Sequence, residues 1–257
     1  MSKANEHGAA LHPPRRALVI LPTYNEALNI EPLLAQLRQL PLHLLFIDDH
    51  STDGTAEILR GAAAAAPDRI WLIERPGKLG YGTAYVAGFR WALARDYERI
   101  LGMDADFSHD PADIPRLLRA AETHDLVIGS RYVGGIRILN WPLRRLALST
   151  AAAHYVRLVT RLPVCDPTSG FKCFRREVVE ALNLEQLRAN GYAFQVELNY
   201  RVWMLGYALT EVPIIFTERS AGQSKLSAGI VFEAVWRTGK LALQHLVRGR
   251  PKQRSRP

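Results

Sequence analysis

At 257 residues, 48% hydrophobic and 23% charged, the chain has the composition of a globular protein with a buried core and room for one large domain or a domain with a small appendage. No uncharged apolar run approaches the ~18 residues that cross a bilayer, and two cysteines, Cys165 and Cys173, are too few for a disulfide framework and too far apart for a zinc knuckle. The net charge of +8 calls for an anionic partner, whether nucleic acid, a membrane surface or a phosphorylated substrate.

The N-terminal "MSKANEHGAALHPPRRA" lacks an apolar signal core and reads as a flexible tail, and the thiols read as idle groups in a reducing cytoplasm. "ALVIL" (residues 17–21) is a branched apolar run ending at Pro22, the pattern of a buried strand. "EALNIEPLLAQLRQL" follows with apolar residues at helical spacing. "HLLFIDD" predicts a second strand that ends in acid, and "STDGTAEILRGAAAAA" a helix with Ser51, Thr52 and Asp53 as candidate caps. "RIWLIE" is a third strand, "YGTAYVAGFRWALARDY" a helix and "RILGM" a fourth strand. "PADIPRLLRAAETH" is a helix with Pro111 near its start, and "DLVIGS" a fifth strand. Five alternations without an internal repeat predict an α/β fold, a parallel sheet with helices on its faces. Ligands of such sheets bind at the carboxyl ends of the strands. Those ends read "LPTYNE", "FIDDHSTDG", "IERPGKLG", "GMDADFSHD" and "IGSRY", so polar and acidic groups collect on one edge.

Asp104 and Asp106 stand two residues apart where the fourth strand emerges. Carboxylates so placed repel one another and lose solvation, so the pair calls for a cation between them. All-oxygen ligation favours Mg²⁺ or Mn²⁺, and Mg²⁺ commonly takes one or two carboxylates with waters and substrate phosphates. The competing duty is that one aspartate caps the helix beginning near Pro111 and the other is solvated. His50 and His109, beside acids, read as solvated loop histidines. There is no G-x-G-x-x-G after the first strand and no G-x-x-x-x-G-K-[ST]; Gly77, Gly80 and Gly82 instead shape a strand-to-helix turn, which disfavours a dinucleotide dehydrogenase and a P-loop enzyme. Neither a serine elbow nor H-E-x-x-H occurs.

"LPTYNE", "IDDHSTDGT", "GKLGYGTAYVAGF", "MDADFSHDP", "GSRY" and "DPTSGFKCFRR" together resemble the family 2 glycosyltransferases of GT-A fold, a Rossmann-like, mostly parallel sheet. "ERSAGQSKL" narrows the resemblance to polyprenol-phosphate (dolichol-phosphate) mannosyltransferases, over residues 16–226. It implies a nucleotide-sugar site at Pro22, Tyr24, Glu26, Ile47 and Asp49, continued by Asp104, Ala105 and Asp106. Tyr24 can stack on a base, and the carboxylates can accept from ring N–H or ribose hydroxyls. Glu26 could equally serve the first turn of its helix, and Asp49 and Asp53 could serve as turn or cap residues. The resemblance places the cation that bridges the diphosphate at Asp104 and Asp106. Ser108 stands where some relatives carry Gln, so the third ligand is Ser108 or a water.

A departing nucleoside diphosphate gathers negative charge, so a divalent cation and fixed cations should stabilise the transition state. Arg131, Arg219 and Lys225 match the family's motifs for this catalytic role beside Asp106, the alternative for each cation being a surface salt bridge. A lipid phosphate acceptor is already anionic, so no general base is required, and a single in-line displacement inverts the anomeric centre. GDP-mannose and a polyprenyl phosphate are the expected partners, with UDP-glucose or another UDP-sugar as the alternative donor. A nucleic-acid- or nucleotide-binding module without catalysis is the alternative of another class; the basic residues lack the interleaved aromatics of a nucleic-acid reader.

The expected organisation is a tail over residues 1–14, the glycosyltransferase domain over 15–225, and a membrane-associating segment over 226–257. In that last segment Glu233, Arg237, Lys240, Gln244 and Arg248 form one helical stripe, with Ile230, Val231, Val235, Leu241 and Leu246 opposite. A basic amphipathic helix suits the anionic lipid of a cytoplasmic membrane face; the alternative is an ordinary amphipathic helix packed on the sheet. A second basic segment, "RILNWPLRRLALSTAAAHYVRLVTRL", offers Arg144 as a contact for the acceptor phosphate.

Overall fold

The computed structural model describes residues 16–187, 191–217 and 239. Strands form on all five apolar runs: β1 (Ala17–Thr23), β2 (His43–Asp48), β3 (Ile70–Glu74), β4 (Arg99–Gly102) and β5 (Leu126–Ser130). Between them run α1 (Ala27–Leu37), α2 (Thr55–Ala65), α3 (Tyr81–Leu93) and, after a 3₁₀ turn at Pro111–Asp113, α4 (Ile114–Ala120). The chain continues through β6 (Ile138–Leu139), α5 (Leu143–Thr160), β7 (Lys172–Arg175), α6 (Arg176–Ala181), α7 (Gly191–Met204), β8 (Leu209–Pro213) and β9 (Phe216–Thr217).

The main sheet has seven strands in the order β3-β2-β1-β4-β7-β5-β8. All neighbours pair in parallel except β7, which lies antiparallel between β4 and β5. The alternation in the sequence did not reveal β7 (KCFR) or β8 (LTEVP), which lack branched apolar runs. A buried parallel strand carries apolar residues on both faces, and β1 does so. Leu18 and Ile20 join Leu45, Phe89 and Phe174 beneath α3, α6 and α7, while Val19 and Leu21 join Ile30, Phe46 and Ile114 beneath α1, α2 and α4. The strand period of two thus divides one run between two core layers.

β6 and β9 form a separate two-stranded pair beside the carboxyl edge. From it α5 runs with only Ala153, Val156 and Thr160 buried, and Leu143 and Leu158 are each more than four-fifths exposed. Among the described residues no helix is long and apolar enough to cross a membrane. The expected tail (1–14), the amphipathic segment (226–257) apart from residue 239, Arg219 and Lys225 lie outside the described residues.

Candidate active site

The first two strand ends are laced into one rim. Pro22 of β1 and Ile47 of β2 are register partners, and the Asp49 N–H donates to the Thr23 carbonyl at 2.9 Å. Asp48 accepts from Thr23 Oγ1 at 2.9 Å, from the Ser51 N–H at 2.8 Å and from Ser51 Oγ at 2.6 Å. Asp53 accepts from the Ala27 N–H at 3.0 Å and from the Thr55 N–H and Oγ1 at 3.0 and 2.6 Å, so one carboxylate serves the starts of both α1 and α2. Cap duty is what the fold realises for Asp53. Glu26 is half-buried at the same rim, its N–H donating to Thr55 Oγ1 and its carboxylate accepting from Asn29 Nδ2 at 2.7 Å. Asn25, His50 and Phe107 have φ of 57°, 64° and 60°, a conformation that residues other than glycine seldom adopt. They sit in the loops after β1, β2 and β4, so backbone strain gathers on the edge where the sequence places the ligand.

Asp49 is buried within this rim. Its Oδ2 accepts from the Gly80 N–H at 2.8 Å, and Arg75 Nη1 stands 3.1 Å from Oδ1 without the alignment of a hydrogen bond. Arg75 is buried too, and donates to the Gly80 carbonyl at 3.2 Å and to Thr83 Oγ1. Lys78 from the same loop places Nζ 3.8 Å from the centre of the Tyr24 ring, a cation–π distance. Both residues stand in "ERPGKLG", where only the glycines drew attention. Two cations, Arg75 and Lys78, in a loop on an edge otherwise rich in acid were the signal available there.

Asp106 is buried, and its Oδ1 accepts from the Ser108 N–H at 3.0 Å, which folds the loop back on the carboxylate. Ala105 and Ser108 are buried beside it. Asp104 is more open: Oδ1 accepts from Tyr81 OH at 2.9 Å, and Oδ2 lies 3.9 Å from His109 Nδ1. Neither aspartate caps the following helix; Asp110 does, accepting from the Ala112 N–H at 2.9 Å. That removes capping as the duty of either aspartate. His109 corrects an expectation. It is 1% exposed rather than solvated, stacks on Phe171 with ring centres 5.0 Å apart, and turns Nδ1 to the Asp104 N–H at 3.2 Å. Burial pulls its imidazole below the ordinary value, against the charges of Asp104 and Asp106. A loop histidine becomes a core one because β7 brings Phe171 beneath it. His50 is exposed, as expected.

Arg131 at the end of β5 is 4% exposed. Its N–H and Nε donate to Asp166 Oδ2 at 2.9 and 2.7 Å, and Nη2 donates to Asp166 Oδ1 at 2.6 Å and Thr168 Oγ1 at 2.7 Å. The guanidinium lies 5.2–5.7 Å from the rings of Tyr132, Trp141 and Phe216. Burial pushes the Asp166 carboxyl up, but the Arg131 charge and hydrogen bonds outweigh this and hold it below the usual range. Phe216 also packs edge-on against His109, which joins the Arg131 cluster to the Asp104 loop. Arg144 is exposed at the start of α5, next to Arg145, which lies 4.0 Å from the Trp141 ring.

The donor set fits a hard cation. Two carboxylates stand two residues apart just past β4, and among the described residues no cluster of three or more His, Cys, Asp or Glu side chains forms a complete metal cage. Such a pair suits Mg²⁺ or Mn²⁺, which take their remaining oxygens from water and phosphate.

A mostly parallel sheet with one antiparallel strand inserted, and an aspartate pair where β4 ends, defines a glycosyltransferase of GT-A type. The model of glycosyl transferase family 2 matches residues 18–182, and the chain belongs to that family. It is 42% identical over 244 residues to the polyprenol monophosphomannose synthase of Mycolicibacterium smegmatis, covering 94% of this chain and 92% of that protein. With the undecaprenyl-phosphate mannosyltransferase of Micrococcus luteus it shares 44% identity over 222 residues, 86% of this chain and 91% of that one. Among solved structures, the mannosyltransferase PcManGT of Pyrobaculum calidifontis, in complex with GDP-Man and Mn²⁺, superposes with a TM-score of 0.55 at 19% identity, covering 95% of this chain and 74% of that one. That likeness is one of fold.

Proposed function

We propose that the chain transfers mannose from GDP-mannose to a polyprenyl monophosphate at a membrane surface, inverting the anomeric centre and releasing GDP. The observation that carries this reading is the aspartate pair of "MDADFSHDP" at the β4 end, in a chain 42–44% identical over most of its length to two enzymes named for mannosyl transfer to polyprenols. Pro22, Tyr24, Glu26, Ile47 and Asp49 form the nucleoside cradle, and Arg75 fixes the Asp49 carboxylate within it. Asp104 and Asp106 would hold the Mg²⁺ or Mn²⁺, with Ser108 or a water beside them. Bound there, the cation supplies positive charge to the leaving diphosphate. Arg219 and Lys225 add fixed charge. Arg131, braced by Asp166, is a further cation at the end of β5. The acceptor phosphate is an anion at neutral pH and attacks without a protein base.

The acceptor approaches past the start of α5, where exposed Ile136, Leu139 and Leu143 stand with Arg144. With the basic segment 226–257, this edge would rest on the anionic cytoplasmic face of a membrane. The test supplies purified protein with Mg²⁺ or Mn²⁺, vesicles of polyprenyl phosphate and labelled GDP-mannose, with UDP-glucose in a parallel tube. Label entering lipid from GDP-mannose alone is expected. Label from UDP-glucose alone would overturn the donor, and label from neither would overturn the acceptor. Asp104→Asn and Asp106→Asn are each expected to lower turnover by at least about 100-fold at an unchanged melting temperature. EDTA should stop transfer, and added Mn²⁺ or Mg²⁺ should restore it.

A further inference from the structure

One group of buried polar side chains behind the aspartate pair has no part in that scheme. Tyr81, the first residue of α3, donates its hydroxyl to Asp104 Oδ1 at 2.9 Å. Gln195 of α7, 2% exposed, donates from Nε2 to the same phenol oxygen at 3.1 Å. Lys172 of β7, 1% exposed, donates from Nζ to Gln195 Oε1 and stands 3.4 Å from the Gln195 carbonyl. Three elements far apart in the chain therefore converge on one carboxylate oxygen.

The order of donors in this chain has one direction. Lys172 presents N–H groups, so the Gln195 oxygen must face it. The amide then has only its NH₂ to offer Tyr81. A phenol that accepts there has its single proton left for Asp104. Burial pulls Lys172 well down, and the Asp166 and Asp104 charges oppose this; in either state it carries N–H donors. The packing admits little slack. A Cβ on Gly170 would stand 2.5 Å from Tyr81 OH and 3.3 Å from Asp104 Oδ1, which gives the glycine of "TSGFK" a physical reason. The Tyr81 ring is held edge-on by Tyr85 and Phe194, with centres 5.0 and 6.4 Å away.

We propose that Lys172, Gln195 and Tyr81 form a directional hydrogen-bond relay that positions Asp104, engaging Oδ1 and leaving Oδ2 for the divalent cation. These are positioning residues, and the inference rests on the reading that Asp104 holds that cation. Groups that orient a ligating carboxylate in this way commonly govern metal affinity by about 10- to 100-fold.

The experiment titrates Mn²⁺ into the full chain with GDP present and follows free Mn²⁺ by electron paramagnetic resonance, with the melting temperature of each variant measured alongside. Tyr81→Phe keeps the ring and removes the hydroxyl. Gln195→Met keeps the volume and charge and removes the donor. Each is expected to weaken Mn²⁺ binding about tenfold. The double variant should bind no worse than Tyr81→Phe alone, because both changes break one chain. Asp104→Asn is the reference. Unchanged Mn²⁺ binding in Asp104→Asn would remove the cation reading and the relay with it. Loss in Asp104→Asn with wild-type binding in both relay variants would overturn the relay alone, as would additive effects in the double variant. If Tyr81→Phe does not fold, Gln195→Met decides by the same criterion.

Discussion

Arg131 and Asp166 are the pair in which charge and burial are most sharply opposed. Both are almost fully buried, and their three hydrogen bonds at 2.6–2.9 Å include the fork geometry that Arg forms with a carboxylate. Breaking one side of such a pair leaves an uncompensated buried charge, at a cost of about 3–5 kcal/mol. Asp166→Asn is therefore expected to destabilise the protein by about 3 kcal/mol at pH 7. The folded-state carboxyl titrates below its unfolded value, so the contribution is complete above about pH 4 and is lost as pH falls through the lower folded value. Urea unfolding of wild type and variant from pH 7 to pH 3 should show the gap narrowing only at the acid end. A gap independent of pH would mean that Asp166 acts by shape and not by charge.

At the scale of the element, α3 decides the geometry of the rim, because its first residue is Tyr81 and its start fixes Gly80 against Asp49. The helix lies close on the sheet. A Cβ on Gly88 would stand 2.6 Å from Ile20 Cγ2 and 2.9 Å from Cδ1 in β1. Two effects compete in Gly88→Ala. Helix propensity favours alanine by about 1 kcal/mol, whereas overpacking a core costs about 1–3 kcal/mol. Contacts that close within a fully buried layer favour the second, so a net destabilisation of about 1 kcal/mol is expected from the urea midpoint. Adding Ile20→Val should recover part of it. A stabilised Gly88→Ala would show that α3 can lift from the sheet at little cost.

At the scale of the whole molecule, acidic groups line the carboxyl edge of the sheet while the surplus of positive charge lies elsewhere in the sequence. Arg237, Lys240, Arg248, Arg250, Lys252, Arg254 and Arg256 fall in the last 21 residues, outside the described part. Each basic residue near an anionic bilayer contributes about 1 kcal/mol. Truncation after Lys225 is expected to lower partitioning onto anionic vesicles by at least tenfold, with transfer to a short water-soluble polyprenyl phosphate much less affected. Raising salt should mimic the truncation, since surface attraction is screened within about 10 Å at 0.1 M. Unchanged partitioning would leave membrane contact to the β6–α5 edge alone.

The sequence by itself determined the alternation of strands and helices, the edge on which the candidate site residues gather, and the aspartate pair at the end of β4. Each of these is a local property: apolar period, cap and turn residues, and the point at which a strand runs out. Tertiary structure decided what long separation conceals. Only the insertion of β7 between β4 and β5 sets Lys172 behind the pair and Phe171 under His109, so a histidine that reads as a loop residue is buried. Only the fold joins Arg131 to Asp166 across 35 residues and Tyr81 to Gln195 across 114. Periodicity records which face of an element is buried. It holds no record of which element arrives there, because strand order is fixed by the pairing of the whole sheet.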